Sequence, residues 1–127
     1  MQVNRSVTVD TRNPLVADRW SQLREGLTPL LLTPQACPDF LSALSQQALR
    51  LMHLVREDPD LAIFQVVHAT PDKVLHYGVL HSIHTATLVC LIGGRKDWNA
   101  TYTVGAVKAV LTMNLSMEPN NSRRSVA

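Results

Sequence analysis

At 127 residues the chain suits one domain, long enough to bury roughly two-thirds of the surface its unfolded form exposes. Apolar residues make up 46% and only five are glycine, which argues against wholesale disorder and favours helix over an all-β fold. Twelve basic and ten acidic side chains leave a net charge of +2, too balanced to announce a nucleic-acid or membrane-surface partner.

Cys37 and Cys90 stand far apart, in no metal-type or redox-type spacing, and Cys90 sits in an apolar run as a small buried hydrophobe would. The opening MQVNRSVTVDTRNP has no apolar centre, so no secretory leader is expected and the expected compartment is the cytoplasm. Residues 1–13 read as a flexible lead-in. A first helix is expected from Pro14, capped by Asn13, with Leu15, Trp20, Leu23 and Leu27 near one side. Gly26 and Pro29 weaken it, so LTPLLLTPQACP reads as a connector anchored by Leu30, Leu31 and Leu32.

A second helix is expected after Pro38. Phe40, Leu41, Leu44, Ala48, Leu51, Met52 and Val55 recur at three- and four-residue intervals, while Gln46, Gln47, Arg50 and Arg56 make the polar face. Asp58-Pro59 then opens a short helix that ends before Pro71. Asp72 caps a long apolar helix, KVLHYGVLHSIHTATLVCLIGG, stopped by Gly93-Gly94. After the break RKDWN, Asn99 caps a last helix running to about Met117, and residues 118–127 lack the apolar content to fold. The expected fold is an all-α bundle of about five helices over 14–117, centred on the apolar pair 73–117, with the N-terminal helices as its cover. A membrane span over 74–92 is not expected, because His76, His81, Ser82 and His84 interrupt it.

His81 and His84 are three residues apart and share a helix face that Tyr77 and Leu88 extend. Two histidines at this spacing suit one metal ion, provided further ligands and a supporting shell converge. The plainer alternative has one ring bonded to a backbone carbonyl or hydroxyl and the other in solvent. His76 is expected off that face. His53, His68 or Glu57 are the other side chains on which a rearranged site would draw. Ser82 beside His81 makes no triad, since neighbouring positions diverge around a helix.

The block HYGVLHSIHTATLVCLIGG, the short Trp-containing break and VGAVKAVLTMNLSM resemble the first half of an HD domain. The closest type is the HD-GYP-like branch of the bacterial phosphohydrolases, and the segment DPDLAIF resembles the lead-in of some members. The resemblance covers residues 58–117. It implies an HD-like helical fold, a place in bacterial signalling, and a site where divalent metals activate water to hydrolyse phosphoesters such as cyclic di-GMP. By position His81 matches the first metal-binding histidine. The His-Asp pair that names the family falls on Met113-Asn114, a thioether and an amide in place of an imidazole and a carboxylate.

Beyond Asn114 the sequence holds Glu118 but no histidine or aspartate, so the family's later ligands have no counterpart. The expectation is therefore a truncated, non-catalytic HD-like module without a cofactor, with His81 and His84 vestigial. The alternative is a phosphohydrolase with a rearranged site holding Fe, Mn or Zn. Helices apolar on most sides call for cover, so exposed apolar helix faces are expected to meet a second copy or another protein.

Overall fold

A computed structural model describes residues 14–68, 77–113 and 115, with side chains from Asp18 onward. Among these residues there are five α-helices and no strand: α1 (Pro14–Leu32), α2 (Phe40–Glu57), α3 (Pro59–His68), α4 (Tyr77–Arg95) and α5 (Ala100–Met113). A single 3-10 turn, Pro34–Ala36, links α1 to α2. The expected all-α five-helix bundle is what the chain forms. The caps expected from Asn13 and Asp72, His76, and the chain's end beyond Leu115 lie outside the described residues.

The strict periodicity of α2 explains its place. Leu44, Ala48, Leu51, Met52, Leu54 and Val55 are all buried, and α2 packs on each of the other four helices. α4 does the same. The centre is thus α2 and α4, and the expectation of an α4–α5 centre is corrected in one half. α5 packs closely on α4 and α2 alone and buries only Thr103, Val107 and Leu111, leaving Tyr102 and Met113 exposed. The core also takes Trp20, Leu23, Leu27, Leu30 and Leu31 from α1.

Two boundaries depart from expectation, each for a physical reason. α1 continues through Pro29, although proline supplies no N–H to the turn before it and costs about 3 kcal/mol inside a helix. Leu30 and Leu31 just beyond it are buried, and burying such side chains contributes about 1.5–3 kcal/mol each, enough to hold the extra turn. α4 runs through Gly93-Gly94 instead of stopping there. The reversal falls at Asp97, whose φ of 59° places it in the left-handed region. Lys96 N–H donates to the Ile92 carbonyl and Trp98 N–H to that of Gly93, closing the helix end in a Schellman-like pattern.

Other boundaries follow their local chemistry. The Leu61 N–H donates to Asp58 Oδ1 at 3.1 Å, capping α3, and the Tyr102 N–H donates to Asn99 Oδ1 at 2.8 Å, capping α5. In length and mean hydropathy (1.2) α4 reaches the minimum for a membrane span, yet 44% of that window is buried inside the bundle.

Candidate functional site

His81 and His84 lie on successive turns of α4 but meet different surroundings. His81 is exposed and its ring stacks on Tyr77, with centroids 6.3 Å apart. Leu88 continues that outer face and is also exposed, whereas Ser82, next to His81, is buried. His84 is half-buried where α4 packs against α1. The His84 imidazole is held below its usual pKa, chiefly by burial, then by the His81 ring and the Arg24 guanidinium nearby.

Arg24 gives this place its character. From α1 its Nη1 donates to Gln65 Oε1 of α3 at 3.0 Å and its Nη2 donates to Ser21 Oγ at 3.3 Å. Three helices thus converge on a polar spot made of a neutral imidazole and a permanent cation. Among the described residues, no three side chains of histidine, cysteine, aspartate or glutamate gather closely enough to hold a metal ion.

The other candidates are placed elsewhere. Glu57 pairs with Arg19 at 2.9 Å. His53 lines a groove between α1 and α2. His68 stacks on Phe64 at 4.2 Å at the end of α3. Of the positions matching the family's His-Asp pair, Met113 is exposed and Asn114 lies outside the described residues. Arg24 did not stand out in the sequence: it is one arginine on the polar side of a helix, and only packing brings it to His84.

Cys90 is buried on α4, and burial pushes its thiol up to about 12 against the opposing pull of Arg56. It is therefore a protonated, inert core group.

Family models, curated proteins and solved structures were all compared with the chain, and none matches.

Proposed function

We propose that the chain is a non-catalytic helical module of HD-like descent that works through protein contacts. Arg24 supports this reading most. A hydrolytic metal centre needs anionic ligands around the ion, and the second histidine of the pair instead has a guanidinium beside it. A fixed positive charge at that place opposes a divalent cation and stabilises the neutral, structural form of His84.

The outer face of α4 supports the contact role. Tyr77, Leu88 and Ile92 fall on one side at helical spacing, and they are 72%, 46% and 49% exposed. A stripe of that kind, continued by the His81 ring, suits burial against a second copy or another protein.

Protein purified without chelator tests both halves. The expected result is no stoichiometric Fe, Mn or Zn and no cleavage of cyclic di-GMP. Sedimentation is expected to show self-association that is lost in Leu88→Glu/Ile92→Glu. A tightly held ion that His81→Ala releases, with phosphoester cleavage depending on it, overturns the proposal. A monomer whose sedimentation the double variant leaves unchanged overturns self-association through α4.

A further inference from the structure

A second surface lies between α1 and α2, where an open groove of about 820 Å³ also reaches Ala100 at the start of α5. It shares no lining residue with the His81–His84 pair or with the outer face of α4. On its α2 side stand Leu49, Arg50, His53 and Arg56, whose three- and four-residue steps put them along one face.

The charges in the groove are unequal. On the α1 side Arg19 is neutralised by Glu57 at 2.9 Å, and Gln22 Nε2 donates to Asp18 Oδ2 at 3.2 Å. Arg50 and Arg56 form no ion pair with any described residue. Between the two arginines α2 advances about 9 Å. Leu49 stands beside Arg50 in the groove and is 54% exposed.

We propose that this groove docks an acidic amphipathic helix from a partner protein. The partner's carboxylates would face Arg50 and Arg56, and its apolar residues would seat on Leu49. A helix laid along the trough between two helices is a recurrent mode of recognition. Cations spread along α2 suit a run of carboxylates better than one compact anion, which would engage one end. The chain's own segment 118–127 has the wrong sign to be the occupant, with Arg123 and Arg124 against Glu118. A second copy is likewise net positive. The proposal goes beyond the α4 contact face and does not depend on it.

The test is selection of a helical peptide library on the full chain. Each peptide carries leucine at i, i+3, i+4 and i+7, with glutamate, lysine or glutamine allowed equally at the flanking positions. Glutamate is expected to dominate the binders. Their affinity is expected to fall at least about tenfold on Arg50→Glu/Arg56→Glu, in a variant whose helical circular dichroism is unchanged. Leu88→Glu/Ile92→Glu is expected to leave that affinity unaltered. Binders without glutamate enrichment, binding indifferent to the double arginine change, or displacement by equimolar inorganic tripolyphosphate would each overturn the proposal. The last result would make the groove a small-polyanion site.

Discussion

Gly93 and Gly94 are neighbours in the last turns of α4, and alanine is expected to act in opposite directions at the two. Both have helical backbone, and no described glycine has positive φ, so each substitution brings the ordinary helix-propensity gain of about 1 kcal/mol over glycine. A Cβ on Gly94 meets nothing within 4 Å, and the gain stands. A Cβ on Gly93 arrives 3.0 Å from Trp98 Cε3 and 3.1 Å from Thr103 Oγ1, inside ordinary van der Waals contact. Neither neighbour yields easily. The Trp98 N–H is bonded to the Gly93 carbonyl at 3.0 Å, and its ring lies edge-on to Tyr102 at 4.9 Å. The Thr103 hydroxyl donates to the Asn99 carbonyl at 3.0 Å.

Overpacking of this kind costs about 1–3 kcal/mol, so after the propensity gain Gly93→Ala should lose up to about 2 kcal/mol net while Gly94→Ala gains up to about 1. For a chain of this size each kcal/mol moves the midpoint by roughly 4 °C. Urea unfolding and calorimetry of the two variants beside wild type measure the difference. If Gly93→Ala equals or exceeds Gly94→Ala in stability, the close approach of α4 to the 98–103 segment is refuted.

Asp97→Gly should stabilise by about 1 kcal/mol, because glycine enters the left-handed region without the penalty an L side chain meets there; unchanged urea midpoints would refute this. Iodoacetamide at pH 8 should modify half-buried Cys37 and leave Cys90 untouched until the chain unfolds, as mass spectrometry of peptides would read. Because burial raises the Cys90 pKa, its contribution to stability is complete below the free thiol value of 9.0 and is lost as pH climbs towards about 12; Cys90→Ala should flatten that alkaline decline. His84 has the opposite dependence. Its folded pKa is depressed, so the unfolded chain takes up the proton first as pH falls below 6.5, and stability declines there; His84→Gln should lessen the decline measured between pH 7.5 and 5.5.

The parts of the fold legible in the sequence are those where local and global preferences agree. From Leu44 to Val55 the apolar repeat of α2 is its buried face, although Leu41, read as part of the same stripe, is 75% exposed, and Asp58 and Asn99 each supply a side-chain oxygen where a helix begins. Legibility failed where the two conflict. Pro29 reads locally as a break, yet the leucines beyond it are buried. Gly93 reads as a stop, yet it is an approach point whose missing Cβ lets Trp98 and Thr103 close on α4. The shared face of His81 and His84 was legible from a three-residue spacing. The inward turn of His84 was not, because it depends on where α1 crosses α4 and so on a guanidinium from another helix.

The division of labour within α2 and α4 follows from their burial. Each packs on all four other helices, so each carries a core stripe that cannot change, and each still leaves one face outside. On α2 the outside positions alternate closely with the core: Arg50 precedes buried Leu51, His53 precedes Leu54, and Arg56 follows Val55. On α4 exposed Leu88 follows buried Thr87, and exposed Ile92 precedes buried Gly93. The outer side chains are therefore held on helices that pack against every other described helix, which lowers the entropy lost on meeting a partner. They also touch little of the core, so their chemistry can vary without unfolding the bundle. The two faces differ in kind, cationic on α2 and apolar on α4, so the contacts proposed for them call for partners of different chemistry. That arrangement suits a module whose work lies in what it touches, since both surfaces stay available while the helices beneath them carry the fold.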